Sequence, residues 1–151
     1  MTVLLLALVL GAPVGAQGSV ERSSGEAACS VSVHVLDTRG RPLPDRTASG
    51  SRTPAVVFRG RSAPPLEGGP PLLFDVFNPR GERYQVLLGA RRGRPSPDGG
   101  SPRLDRPVEA RLAVAGSSIV WTSMYGRWRV EPRLEGADGP CGPAQAFTIR
   151  P

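Results

Sequence analysis

Apolar and polar side chains alternate at successive positions along much of this chain, and this period of two indicates β-strands rather than helices. The clearest case is residues 29–37, where one cysteine and three valines alternate with Ser, Ser, His and Leu. Alternation or a short apolar run predicts further strands at 54–59, 72–77, 84–88, 107–115, 118–123, 127–134 and 146–149. We therefore expect about eight short strands, and only residues 107–115 also show a weak helical pattern.

Turn-forming residues separate the predicted strands. The tetrapeptide Asn78-Pro79-Arg80-Gly81 suits a type I turn and predicts a hairpin around it. Residues 61–71 hold four prolines and two glycines, which excludes a central strand or a helix there, and residues 44–53 are predicted to be a loop. Pro132 predicts that its strand ends, bulges or lies at an edge. Many short strands with Gly and Pro turns predict an all-β fold, a small antiparallel β-sandwich.

The N-terminus carries the pattern of a secretory signal. Residues 3–10 are an uninterrupted apolar run, and Val14-Gly15-Ala16 provides small residues before a cleavage site. A membrane-spanning helix needs about 20 apolar residues, so this run is too short to span, and no later run is long enough. We expect cleavage after Ala16 and a secreted or periplasmic protein beginning at Gln17. The alternative is a buried N-terminal strand or helix.

The predicted mature chain divides into a flexible polar leader at 17–28 and one β-sandwich domain at 29–151. Its two cysteines, Cys29 and Cys141, lie near the two ends of the domain. An even number of cysteines in an exported protein predicts a disulfide, and two buried free thiols are the alternative.

The charge is basic, with 19 Lys+Arg against 13 Asp+Glu, and all of the cations are arginine. GC-rich codons favour Arg, Gly, Pro and Ala, so the excess does not by itself indicate a nucleic-acid partner. Residues 91–106 have no hydrophobic periodicity and are predicted to be a long exposed loop. Its candidate anion-binding residues are Arg91, Arg92, Arg94, Arg103 and Arg106. The alternative is a solvated loop without a ligand.

Three aromatic residues, Trp121, Tyr125 and Trp128, lie close together in the last part of the sequence. Trp121 shares the alternation phase of Ile119, and Trp128 shares that of Val130, so both tryptophans are predicted to be buried. Tyr125 is then the candidate aromatic contact for a sugar ring or a protein partner.

Catalytic and metal-binding patterns are weak. His34 is the only histidine, and it is predicted to lie on the polar side of its strand. A Ser-His-Asp site needs converging side chains and an oxyanion hole, for which nothing in the pattern provides. Zinc needs three or four His, Cys or carboxylate ligands, which one histidine and two bridged cysteines do not supply. We expect no enzyme, no cofactor and no metal.

One resemblance lies in roughly the last quarter of the chain. Gly126-x-Trp128-x-Val130 and Phe147-x-Ile149 resemble the terminal hairpin of immunoglobulin-like and fibronectin-like modules of bacterial exported proteins. The chain departs from antibody-type domains, whose tryptophan follows the first cysteine by about a dozen residues, because position 41 is arginine. The resemblance implies a sandwich and no activity.

Together these patterns predict a monomeric exported module without enzymatic activity. We expect a binding or structural, accessory role in the cell envelope or extracellular space, with a protein partner or none. The alternative is a polyanion- or carbohydrate-binding domain that uses the Arg-rich loop or exposed aromatics.

Overall fold

The computed structural model describes residues 28–62, 70–91 and 107–151. The predicted signal peptide, nearly all of the leader and the Arg-rich loop beyond residue 91 lie outside the described residues. In the described ranges the elements are β1 (Cys29–Val35), β2 (Thr47–Ser49), β3 (Ala55–Ser62), β4 (Leu72–Phe77), β5 (Arg83–Leu88), β6 (Ala90–Arg91), β7 (Val108–Ala113), α1 (Ser118–Trp121), β8 (Gly126–Leu134) and β9 (Gln145–Arg150).

The described strands form two sheets, with the orders β1-β3-β7-β6 and β2-β9-β8-β4-β5. Every strand pair is antiparallel except β2 with β9, which is parallel. Side chains from both sheets form one buried cluster, in which the Phe58 ring of β3 lies 5.6 Å from Phe147 of β9 and 6.0 Å from Phe74 of β4. The predicted small all-β sandwich is confirmed.

The alternating pattern predicts the core because successive strand side chains point to opposite faces. Burial alternates along β1 and along the first seven residues of β8. Trp128 is fully buried, as predicted: it stacks on Phe147 at 6.2 Å and meets the edge of Tyr84 at 5.2 Å. Its indole N–H donates to the Met124 carbonyl at 3.0 Å, so its polar atom is also satisfied.

The predicted hairpin joins β4 to β5. The Asn78 carbonyl accepts from Gly81 N–H at 2.9 Å, and its side-chain oxygen accepts from the backbone N–H groups of Arg80 and Glu82. Gly81 has φ +82°, a left-handed conformation that glycine adopts without steric cost.

Residues 118–123 do not form the predicted strand; the helix α1 and a turn lie there instead. Ser117 caps this helix by accepting from Ile119 N–H at 3.3 Å, and Gly116 before it has φ +72°. In a helix, residues two positions apart point about 200° apart. Ile119 is therefore buried while Trp121 is 82% exposed, and the prediction that Trp121 is buried is wrong.

Two further differences from the prediction concern β2 and the course of β8 at Pro132. The three-residue β2 lies inside the predicted loop 44–53, where Ala48 pairs with Ile149 and is fully buried. β8 continues through Pro132, but its pairing with β9 stops at Val130. The Pro132 carbonyl accepts from Cys141 N–H at 2.9 Å on that side, so the missing proline N–H takes no bond from β4. β8 lies between β9 and β4, it continues to Leu134, and its pairing with β4 is regular at Pro132, so the prediction that this strand ends, bulges or lies at an edge is wrong.

The predicted disulfide is confirmed: Cys29 is bonded to Cys141, 112 residues later, and their Cα atoms lie 5.4 Å apart. It joins the start of β1 in one sheet to the connection between β8 and β9 in the other. Cys29 N–H also donates to the Cys141 carbonyl at 3.0 Å, so backbone and side chain both hold the two sheets together at this end.

Candidate functional site

Three connections meet at the end of the sandwich opposite the disulfide: residues 50–54, 78–82 and 114–125. We call this region the α1 end. A Cβ atom placed on Gly50 would lie 2.9 Å from the Tyr125 ring, and one placed on Gly126 would lie 3.1 Å from Pro79. The connections therefore touch, and they form one continuous surface.

Contacts on both sides hold α1 in place. Ile119 is fully buried in the core beneath it. The Ser118 hydroxyl shares a hydrogen bond of 2.6 Å with the Tyr84 hydroxyl, and Tyr84 itself packs on the buried Trp128. The Thr122 hydroxyl donates to the Ser118 carbonyl at 2.7 Å. The helix is short, but its backbone is tied to the aromatic part of the core.

The side chain of Trp121, the last residue of α1, is exposed. Its 82% exposure exceeds that of the other exposed large apolar side chains of the described residues, which are Leu43, Val86 and Leu88. Ser123, two residues on, has φ +51° and is the one non-glycine residue with positive φ in the described ranges. Such conformations cost about 1–3 kcal/mol and concentrate at functional sites. A flat apolar ring with one N–H donor on a fixed backbone is suited to contact a ligand or partner.

Tyr125, the aromatic contact predicted from the sequence, is half-buried and packs against the core beside Gly50. A role for Tyr125 in binding stays a prediction. Sequence reasoning missed Trp121 because it assumed a strand period through residues 118–123. The signal that would have found it is Gly116-Ser117, a turn residue followed by a helix-capping residue.

Of the predicted anion-binding arginines, Arg91 alone lies among the described residues. Arg91 contributes its backbone to β6, opposite Val108. Arg92, Arg94, Arg103 and Arg106 lie outside the described residues. Anion binding by this segment stays a prediction.

His34 lies on the outer face of the four-stranded sheet, and its Nε2 shares a 3.0 Å hydrogen bond with the Ser32 hydroxyl. Partial burial is the main cause that lowers the pKa of His34 below 6.5, and the positive charge of Arg59 lowers it further. Asp37 is not its partner: the Asp37 carboxylate accepts from Arg41, whose backbone N–H is the main cause that lowers the pKa of Asp37. The predicted position of His34 on the polar side of β1 is confirmed.

In the part of the chain that the structure describes, no three His, Cys, Asp or Glu side chains are grouped so that they could hold a metal ion. None of its helices has the length and apolar character required to cross a bilayer.

No protein-family model matches this chain, and no curated protein is significantly similar to it.

Proposed function

We propose that this protein is an exported, non-catalytic β-sandwich module that binds a protein partner through the α1 end, in the cell envelope or the extracellular space. The observation that carries the proposal is the 82% exposure of Trp121 on an anchored backbone. Tryptophan is among the residue types that dominate the binding energy of protein interfaces. Because α1 is already held by Ile119 and Tyr84, little further ordering of the backbone is needed on binding.

Export is supported by two independent features. Residues 3–10 and Val14-Gly15-Ala16 have the composition of a signal peptide. The Cys29–Cys141 disulfide suits an oxidising compartment, in which such bonds form and persist. The resemblance of β8 and β9 to immunoglobulin-like modules of bacterial exported proteins agrees with both.

The exported protein is expected to begin at Gln17, because Ala16 is the small residue that precedes the predicted cut. Intact-mass spectrometry of protein recovered outside the cytoplasm tests this, and it also detects a cyclised Gln17 that would block chemical sequencing. Recovery of exported protein that retains Met1 would contradict the prediction.

A second candidate function is carbohydrate binding, favoured by the same exposed ring, because a flat indole stacks on the apolar face of a sugar. The two candidate functions are distinguished by what binds the mature protein. A protein partner is recovered in stoichiometric amount from envelope fractions or culture fluid, whereas a carbohydrate ligand retains the protein on a glycan matrix.

Replacing Trp121 by alanine is expected to weaken partner binding at least about tenfold, the effect of losing an interface residue worth about 1.4 kcal/mol or more. The test captures partners from envelope fractions and culture fluid with tagged wild type and Trp121→Ala, then measures the affinity of the partner recovered. Leu43→Ala is the matched control, because it also removes an exposed apolar side chain, from the connection between β1 and β2.

Equal affinity of wild type and Trp121→Ala for the captured protein would refute a role for the α1 end. Retention of wild type, but not Trp121→Ala, on a glycan matrix would replace the protein partner by the second candidate.

A further inference from the structure

Strand β5 is an edge of the five-stranded sheet, and in the described part of the chain it pairs only with β4. Residues of an antiparallel pair alternately exchange backbone hydrogen bonds with the neighbour and point these groups away from it. Gly89 N–H donates to the Leu72 carbonyl at 2.9 Å, so Leu87, two residues earlier, also bonds to β4. The backbone N–H and C=O groups of Val86 and Leu88 therefore point to the open side.

The side chains of the same two residues are exposed on the outer face of the sheet. Val86 is 42% exposed and Leu88 is 60% exposed. Open edges are commonly protected by charge, proline or a bulge. Here an irregularity at Val76 and Phe77 disturbs only the start of β5, and the pairing opposite residues 85–88 is regular. Among the residues that the structure describes, Val86 and Leu88 thus combine unpaired backbone groups with apolar side chains, and we call residues 85–88 the β5 edge.

Positive charge predominates on the same outer face of the sheet. The face carries four arginines and two carboxylates on β4, β5 and β8: Arg83, Arg127, Arg129, Arg133, Asp75 and Glu131. Arg133 binds Asp75 at 2.7 Å and Arg129 binds Glu131 at 3.2 Å. The two carboxylates are thereby neutralised, and the exposed Arg83 and Arg127 remain as an excess of positive charge.

We propose that the β5 edge binds an extended, acidic segment of another protein by strand addition. The partner strand pairs with the outward backbone groups of Val86 and Leu88. Its apolar side chains, at alternate positions, cover Val86 and Leu88 on the outer face, since side chains of paired strands meet on one face. A carboxylate beyond the apolar pair meets Arg83, which lies on the same strand and face.

Charge decides between this occupant and a second copy of the chain. Two copies paired through their β5 edges would place two arginine-rich faces side by side, and like charges directly opposite one another destabilise a sheet. An acidic strand gains from the same charges, so the face favours it over self-association.

The test uses the exported protein with its disulfide intact and a capped peptide, Glu-Thr-Val-Thr-Val-Thr-Glu, whose two valines and two glutamates lie on one face of an extended strand. The same peptide with lysine in place of glutamate is the charge control. We expect the glutamate peptide to bind and the lysine peptide to bind at least about tenfold more weakly. Bound peptide should slow amide hydrogen exchange at Val86 and Leu88, but not at Leu87, whose N–H already bonds to β4.

Three substitutions separate backbone pairing from charge. Val86→Pro removes an N–H that β4 does not use, as edge strands tolerate, and is expected to weaken glutamate-peptide binding at least about tenfold. Val86→Thr keeps the N–H and the β-branched shape, so its affinity should stay within about threefold of wild type. Arg83→Glu changes only an exposed side chain and should reverse the preference between the two peptides.

Several results would overturn the proposal. One is the absence of glutamate-peptide binding at about 1 mM. Another is an affinity for the glutamate peptide that is unchanged in folded Val86→Pro. If that variant does not fold, a preference between the two peptides that is unchanged in Arg83→Glu would also overturn the proposal. A concentration-dependent dimer that Val86→Thr forms and Val86→Pro does not would assign the edge to a second copy. Heparin that displaces the peptide and binds wild type and Val86→Pro equally would assign the face to polyanions.

Discussion

Replacing Trp128 with alanine is expected to lower the free energy of unfolding by about 3–5 kcal/mol, the cost of a large buried aromatic. Trp128 is fully buried, and its ring packs on Phe147 and Tyr84 at once. Its loss leaves a cavity between the two sheets and removes the hydrogen bond that the indole N–H donates to the Met124 carbonyl. Urea unfolding of wild type and variant measures the change, and a similar slope with denaturant shows that a comparable surface unfolds.

Trp121→Ala is the matched control, because it deletes the same kind of side chain seven positions earlier, at the end of α1. Its 82% exposure predicts a change within about 0.5 kcal/mol, as for ordinary surface sites. A loss comparable to that of Trp128→Ala would mean that Trp121 is buried, which would contradict both α1 and the proposed binding surface.

The two tryptophans show where sequence reasoning succeeds and where it fails. Trp128 and Val130 belong to a long strand in which buried and exposed side chains alternate. A period of two therefore applies to the whole segment, and it correctly predicts which side chains are buried. Around Trp121 the apolar residues are few, and a period of two cannot be told from a helical turn. There the local capping chemistry of Gly116 and Ser117 decides the conformation, and the alternation has no part in it.

Strand order is the part of the fold that local pattern cannot supply. β2 has three residues and becomes a strand only because the distant β9 offers it a parallel edge. Likewise the pattern of residues 84–88 predicts a strand, but not that β5 ends its sheet with Val86 and Leu88 exposed. Both depend on contacts between residues far apart in sequence, and so does the candidate β5 edge.

The disulfide is the exception, because its prediction from sequence needed only the number of cysteines and the expected compartment. The structure shows which elements the disulfide joins. Cys29 is buried at the first residue of β1, and Cys141 lies between β8 and β9 of the other sheet. The bond closes a loop of 112 residues, which nearly spans the domain.

Cys141→Ser is expected to lower the free energy of unfolding by about 2–5 kcal/mol, the usual cost of losing a native disulfide in a small secreted domain. Most of this effect is expected in the unfolded state, where the bond removes the chain entropy of a long loop.

The double variant Cys29→Ala with Cys141→Ser should lose a similar amount of stability, because the cross-link and not either thiol supplies the stability. Amide exchange at Cys29 should also quicken, since its N–H bonds to the carbonyl of residue 141. Denaturant unfolding of the oxidised protein and both variants tests this. Two titratable thiols in the native exported protein, or unfolding midpoints equal to that of wild type, would contradict it.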